Sequence, residues 1–161
     1  MTEARIFTRR SILLSAVAFG LARGVARAQA APNVLFICEH GYAKSLVAAL
    51  HCERLAAARG VALRALSRGV DPGAAVPEAI AAGLAGDGFD VRGFAPSRAT
   101  RAEISRAAHV VLIAADVDVS ARTRPVTRWD DISPLSENYA RARGEIVVRL
   151  NRLLDGMGSP L

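Results

Sequence analysis

The sequence predicts a single α/β domain in three layers, a four-stranded parallel sheet with helices on both faces. Short apolar runs alternate along the chain with segments of helical periodicity, and this order is typical of a parallel sheet covered by helices. The apolar content of 52% is ample for a core in a chain of 161 residues. No internal repeat or linker divides residues 31–161, so we predict one domain there.

The first half of the predicted domain contains two strands and the helix between them. Residues 33–38 form an uninterrupted apolar run, which is typical of a parallel strand buried on both faces. Residues 43–59 follow as a helix rich in Ala and Leu, and Gly60 ends it. The alternation in residues 61–66 predicts the second strand.

The second half continues the same order of elements. A short helix is predicted at residues 77–85 and another at residues 101–107. The apolar run at residues 109–114 predicts a third buried strand, and residues 124–129 predict a short fourth one. Apolar residues recur at helical spacing up to residue 154, so we predict a closing helix over residues 137–154.

Residues 1–30 have the features of an export signal. Arg9 and Arg10 precede an apolar stretch, residues 12–22, that is too short to span a bilayer as a helix. Small residues then mark a cleavage site after Ala30. The arrangement resembles a twin-arginine signal, so we expect the remaining chain to be exported to a bacterial periplasm. The alternative is an uncleaved amphipathic anchor.

The net charge of +6 belongs mainly to this leader. Residues 1–30 hold five arginines and one acidic residue, so the remaining chain carries 16 basic and 14 acidic residues. It has no block of basic residues and few aromatic ones between them, so we predict no nucleic-acid partner. We also predict no membrane association once the signal is cleaved.

The loop after the first strand has the composition of an anion site. In an open parallel sheet, ligands bind at the carboxyl ends of the strands, where this loop lies. Its backbone N–H groups and the following helix N-terminus suit a phosphate-like oxyanion, and Gly41 can adopt the positive φ of a tight loop. The predicted phosphate-binding residues are Glu39, His40, Gly41, Tyr42, Ala43, Lys44 and Ser45.

Cys38 is the candidate nucleophile of this loop. The positive end of the helix would favour its thiolate, and the hydroxyl of Ser45 could donate to the sulfur. Lys44 adds a positive charge nearby, and it is the single lysine of a chain that contains 20 arginines. This usage indicates that the position favours a compact ammonium group.

Several motifs resemble the low-molecular-weight protein tyrosine phosphatases, a family that includes thioredoxin-coupled arsenate reductases. The likeness covers nearly all of residues 33–155. It lies in the first strand with a loop similar to the family's C-x5-R-S signature, in Ser67-Arg68-Gly69, in GFDV (88–91), in AAHVVLIAAD (107–116) and in WDDISP (129–134), the loop before the last helix.

The resemblance implies a catalytic mechanism. In the family the cysteine attacks phosphorus and forms a cysteinyl-phosphate, the loop amides and an arginine hold the phosphoryl oxygens, and an aspartate protonates the leaving group. These roles fall on Cys38, Lys44 and Asp131, with Asp130 as the alternative acid. The expected activity is hydrolysis of small-molecule or protein phosphomonoesters without a cofactor.

Three departures from the family pattern reduce the expected efficiency. Lys44 replaces the arginine, Gly41 replaces an asparagine, and no proline follows Asp130 or Asp131 directly. A guanidinium grips two phosphoryl oxygens, whereas an ammonium acts as a point charge, and losing such a transition-state donor costs about 10²–10³ in rate. The alternative function is therefore an exported, non-catalytic oxyanion-binding or interaction protein.

Other functions that use the same residues receive less support. A nucleotide-binding P-loop needs glycine before Lys44, and thiol-relayed arsenate reduction needs more cysteines than Cys38 and Cys52. A zinc site would have to combine both cysteines with His40 and His51, which the helical spacing places too far apart. A Cys38–Cys52 disulfide meets the same difficulty. We predict no metal, and we expect His51 and Cys52 to pack as helix residues.

Overall fold

The computed structural model describes residues 33–158, so the signal and cleavage site predicted in residues 1–30 lie outside the described residues. The described chain alternates strands and helices. Its elements are β1 (Asn33–Cys38), α1 (Lys44–Ala58), β2 (Arg64–Gly69), α2 (Glu78–Gly86), α3 (Arg101–Arg106), β3 (His109–Leu112), β4 (Val126–Arg128) and α4 (Tyr139–Gly158).

The strands form one four-stranded sheet in the order β2-β1-β3-β4. All three neighbouring pairs are parallel. The predicted parallel sheet is thus confirmed, and β1 occupies an inner position. The carboxyl end of β1 lies beside the carboxyl end of β2, because Cys38 pairs with Gly69.

Alternate side chains of β1 enter two separate apolar layers. Val34, Phe36 and Cys38 belong to the core that lies under α1, α2 and α4. Leu35 and Ile37 belong to the opposite core, which α3 covers. Helices therefore cover both faces of the sheet, as predicted, and the sulfur of the first strand points toward the α1 side.

The second strand lies three residues later than residues 61–66, where the sequence predicted it. β1 fixes the register, since Asn33 pairs with Arg64 and Cys38 with Gly69. Residues 61–63 connect α1 to the sheet, and Val61 is 39% exposed. The predicted bounds of the second strand were therefore wrong, because the alternation at residues 61–66 includes this connection.

The helix ends agree with the local sequence signals to within a few residues. α1 ends at Ala58, and Gly60 follows with φ +70°, as a glycine that ends a helix does. α3 begins with a capping box, in which Thr100 and Glu103 each bond the other's backbone N–H. No helix in residues 33–158 has the length and apolar character needed to cross a membrane.

Candidate active site

Cys38 lies at the end of β1, where strand alternation directs its side chain toward the N-terminus of α1. The residue is 5% exposed, and its Sγ lies 3.0 Å from the hydroxyl oxygen of Ser45 in the first turn of α1. Residues 38–45, called the cysteine loop below, connect these two positions. The nucleophile and hydroxyl predicted from the sequence are therefore in contact.

Gly41 brings a backbone amide to the sulfur. Its N–H donates to Cys38 Sγ at 3.3 Å. This geometry requires glycine for two reasons: φ is +73°, and a Cβ would lie 2.7 Å from the backbone nitrogen of Gly69. The predicted need for a positive φ at Gly41 is confirmed, and the close approach of β2 is a further constraint.

The carbonyl groups at the start of the cysteine loop face away from the sulfur. Those of Cys38, Glu39 and His40 accept hydrogen bonds from the backbone N–H groups of residues 70, 71 and 73, at 3.0, 2.9 and 3.2 Å. In a trans peptide the C=O and the next N–H point in opposite directions. The amides of residues 39–41 therefore point away from residues 70–73, and that of Gly41 reaches Sγ.

The N-terminus of α1 adds further unpaired N–H groups to this place. Ala43 is the N-cap residue, and no side chain caps the helix. The N–H groups of a first helical turn have no intrahelical acceptor, and they favour a negatively charged group. The cysteine loop and this helix end together form what we call the amide cup, with Cys38 at its base.

A second serine supports the base of the cup. The sequence indicated it only as part of a motif. Ser67 is buried in the second half of β2, and its Oγ lies 2.9 Å from both the hydroxyl of Ser45 and the carbonyl of Gly41. It can therefore orient Ser45 toward Cys38. Its place in the Ser67-Arg68-Gly69 motif was the available signal.

The side chain of Lys44 reaches another part of the chain. Its Nζ donates to the carbonyl oxygen of Ile132 at 2.8 Å. Ile132 is buried within residues 129–134, the loop before the last helix, which is called the acid loop below. Lys44 thus connects the start of α1 with the loop that carries both candidate acids. A backbone carbonyl acceptor gives no signal in the sequence.

The two candidate acids of the acid loop differ in their contacts. Asp131 Oδ2 forms an ion pair at 2.6 Å with Arg149 of α4, although its side chain is 78% exposed. Asp130 is exposed and forms no ion pair with any of the residues that the structure describes. Ser133 anchors the loop further, through its N–H and hydroxyl to the carboxylate of Glu145.

Trp129 begins the acid loop as a core residue. It is 6% exposed, and its ring centre lies 5.8 Å from that of Phe36. The backbone N–H of Trp129 donates to the carbonyl of Leu112 at 2.8 Å. These contacts place the indole against the sheet, so Trp129 fixes the start of the loop.

His40 and Tyr42 form one side of the cysteine loop's outer surface. Their rings are stacked with centres 5.4 Å apart. The Nδ1 of His40 lies 3.1 Å from the carbonyl of Asp71 and must carry a proton to donate to it. A Cβ on Gly73 would lie 2.3 Å from the ring of Tyr42. Both side chains are therefore held against residues 71–73.

His51 belongs to a separate polar cluster between α1 and α4. Its Nε2 lies 3.1 Å from Oδ2 of Asp87, which also accepts from the hydroxyl of Tyr139 at 2.7 Å. Its Nδ1 lies 2.8 Å from Arg54, so Nδ1 is the acceptor and Nε2 carries the proton. Burial lowers the pKa of His51, which favours this neutral form. No motif or spacing in the sequence predicts Asp87 in this cluster.

Cys52 is also a packed helix residue. It has no exposed surface, and burial raises the pKa of its thiol to about 12. Cys38 and Cys52 are both free thiols. Within residues 33–158, no three His, Cys, Asp or Glu side chains lie close enough together to hold a metal ion.

Known proteins match this chain through their structures. No protein-family model and no curated protein sequence matches it. A thioredoxin-dependent arsenate reductase of Corynebacterium glutamicum superposes with a TM-score of 0.67 and 22% identity, over 80% of this chain and 63% of its own. A mutant of Bacillus subtilis YwlE gives 0.69 and 16%, over 80% and 100%. The low-molecular-weight protein tyrosine phosphatase of T. tengcongensis gives 0.65 and 19%, over 78% and 99%.

These similarities identify the class of fold. The chain has the three-layer α/β fold that low-molecular-weight protein tyrosine phosphatases share with arsenate reductases. The family resemblance carried by the sequence motifs is confirmed at this level. The chain spans 63% of the length of the C. glutamicum reductase, which is a longer protein.

Proposed function

We propose that this protein hydrolyses phosphomonoesters through a cysteinyl-phosphate intermediate, with reduced efficiency. One observation carries the proposal: a backbone N–H and a serine hydroxyl both contact the sulfur of Cys38 at the uncapped N-terminus of α1. Such donors stabilise a thiolate, and the same amides can bind the oxygens of a phosphoryl group.

In the first step the thiolate of Cys38 attacks phosphorus. An S–P bond forms as the P–O bond to the leaving group breaks, and amides of the cup bind the equatorial oxygens. The alcohol leaves with a proton from a carboxylic acid of the acid loop. In the second step water attacks the cysteinyl-phosphate, the S–P bond breaks, and the same carboxylate accepts the proton from water.

Asp130 and Asp131 are both candidates for the acid. Oδ2 of Asp131 already accepts a hydrogen bond from Arg149 at 2.6 Å, so its carboxyl group would have to leave this partner to reach a leaving group. Asp130 has no such partner among the described residues. The contacts therefore support Asp130 over Asp131, which the family resemblance had favoured.

A second candidate function is oxyanion binding without turnover. Two observations favour it: the ammonium of Lys44 bonds the carbonyl of Ile132, and Asp131 pairs with Arg149. Two side chains proposed for catalysis thus have partners within the protein. The amides that would bind phosphate remain in the cup, so binding could persist where hydrolysis does not.

Reduction of arsenate through a thiol relay receives less support than hydrolysis. Such a relay needs a second reactive cysteine, and Cys52 is the only other one in the sequence. Its complete burial and raised thiol pKa disfavour the thiolate that a relay requires. The fold itself is compatible with either chemistry.

We further propose that the domain acts in the periplasm after cleavage at Ala30. The paired Arg9 and Arg10, the apolar stretch and the small-residue cleavage pattern support this location. Expression in a bacterial host and mass measurement of the periplasmic fraction test it. A mass that begins at Ala31 supports export, and full-length protein confined to the cytoplasm contradicts it.

Hydrolysis is tested with the reduced full-length chain and an aryl phosphate. Cys38→Ser should abolish turnover and prevent trapping of a phosphorylated enzyme. Cys52→Ala is the matched control, since it removes the other thiol far from the cup and should retain turnover. Phosphate-dependent thermal stabilisation without turnover would support the binding function. Neither turnover nor stabilisation in the wild type would contradict both.

A further inference from the structure

The contact that Lys44 makes explains why this position favours a lysine, provided that the cup binds oxyanions as proposed above. Lys44 is the first residue of α1, next to Ser45, whose hydroxyl contacts the sulfur. Its Nζ crosses to the carbonyl of Ile132, 88 residues later in the chain, at 2.8 Å. This bond joins the rim of the amide cup to the acid loop.

The hydrogen bond to Ile132 uses one N–H donor of the Lys44 ammonium. An ammonium has three N–H donors, and a backbone carbonyl takes one of them. The other two form no hydrogen bond with the described residues, so they are available to an oxyanion bound beside them. A planar guanidinium has fixed donor directions and grips two oxygens in one plane, so it is less suited to sharing its donors between an anion and a carbonyl outside that plane.

The acid loop is otherwise anchored to α4 and to the sheet. Asp131 pairs with Arg149, Ser133 bonds Glu145, and Trp129 bonds Leu112. Among the described residues, one side-chain hydrogen bond joins this loop directly to the start of α1, and it is the bond between Lys44 and Ile132.

We propose that Lys44 is a positioning residue that couples oxyanion binding in the amide cup to the placement of the acid loop. An anion in the cup and the carbonyl of Ile132 share the ammonium. Occupancy of the cup then shifts the carbonyl toward or away from the site, and it carries the neighbouring aspartates with it. This role goes beyond weakened phosphoryl binding.

Trp129 reports on this coupling, because it is the only tryptophan in the sequence and begins the acid loop. The test titrates the reduced full-length chain with inorganic phosphate, following indole emission and, separately, the heat of binding. Lys44→Met removes the ammonium but keeps the apolar stem. Arg149→Met is the matched control, since it removes a different cation that contacts the same loop.

In the wild type we expect a saturable change in emission that follows the calorimetric binding curve. Lys44→Met should lower the phosphate affinity by about tenfold or more and abolish the emission change at saturation. Arg149→Met should keep the emission change.

Either of two results in the variants would overturn the coupling alone. One is an unchanged emission response in Lys44→Met, and the other is loss of the response in both variants, which would show that loosening the loop is sufficient. Phosphate binding with a silent indole in the wild type also overturns it, while oxyanion binding stands. Absence of any binding heat in the wild type overturns the proposed function and the coupling together.

Discussion

Substituting alanine for Gly41 tests the geometry of the amide cup most directly. Gly41 has φ +73°, and its amide donates to Cys38 Sγ at 3.3 Å. A Cβ there would lie 2.7 Å from the nitrogen and 3.1 Å from the Cα of Gly69. These are backbone atoms of a paired strand, so the cysteine loop must move away from β2. That movement withdraws the amide from the sulfur.

The expected cost has two parts. The left-handed backbone costs alanine roughly 1–2 kcal/mol, and forcing an atom into occupied space costs about 1–3 kcal/mol. The free energy of unfolding should therefore fall by about 2–5 kcal/mol in Gly41→Ala. If the loop shifts as the contacts require, one transition-state donor is lost, and turnover should fall by about 10²–10³.

Gly60→Ala is the matched control for the backbone part. Gly60 has φ +70°, and a Cβ there would meet nothing within 4 Å. The free energy of unfolding should fall in Gly60→Ala only by the cost of the left-handed backbone, roughly 1–2 kcal/mol, and turnover should be unchanged. Urea unfolding followed by circular dichroism gives both stabilities, and aryl phosphate hydrolysis of the folded proteins gives the rates. Equal stability losses in the two variants, with turnover retained in Gly41→Ala, would refute the cup geometry.

Three further outcomes follow from individual contacts. Burial lowers the pKa of His51 in the folded protein, so the unfolded chain takes up this proton at a higher pH than the folded protein does. The free energy of unfolding should therefore fall as the pH drops below about 6.5. His51→Gln should reduce that slope in urea unfolding, although His109, whose pKa burial also lowers, still contributes to it, and an unchanged slope would contradict the role of His51. Thr100→Ala removes the cap of α3 and should cost about 1 kcal/mol in thermal unfolding, whereas no loss argues against the capping box. Ser45→Ala should slow alkylation of Cys38 by iodoacetamide about tenfold, and an equal rate would remove the hydroxyl from the mechanism.

The fold was predictable because its elements have local signatures. The apolar run of β1 predicted a strand buried on both faces, and its bounds are those observed. Gly60 marked the end of α1 for the same local reason. The second strand was misplaced because its start depends on pairing with β1 rather than on its own alternation. Partner strands fix register, and a single segment cannot encode it alone.

The cup was predictable to the extent that backbone chemistry defines it. Cys38, Gly41 and Ser45 follow one another on a loop between a strand and a helix, so their convergence follows from chain geometry. The partners of Lys44 and Asp131 were not predictable. One is a main-chain carbonyl, which every residue carries, and the other is one of 20 arginines.

This difference bears on which function survives sequence change. Binding in the cup depends on amides whose directions are set by Gly41 and by carbonyl bonds to residues 70–73. The proposed hydrolysis would depend in addition on side chains of the acid loop, which contacts α1 and α4. We expect a change in any of those contacts to lower turnover and to leave the amides in place. Two of the three departures from the family pattern, at Lys44 and after Asp131, affect the acid loop or its contact with α1, so turnover should be impaired more than oxyanion affinity.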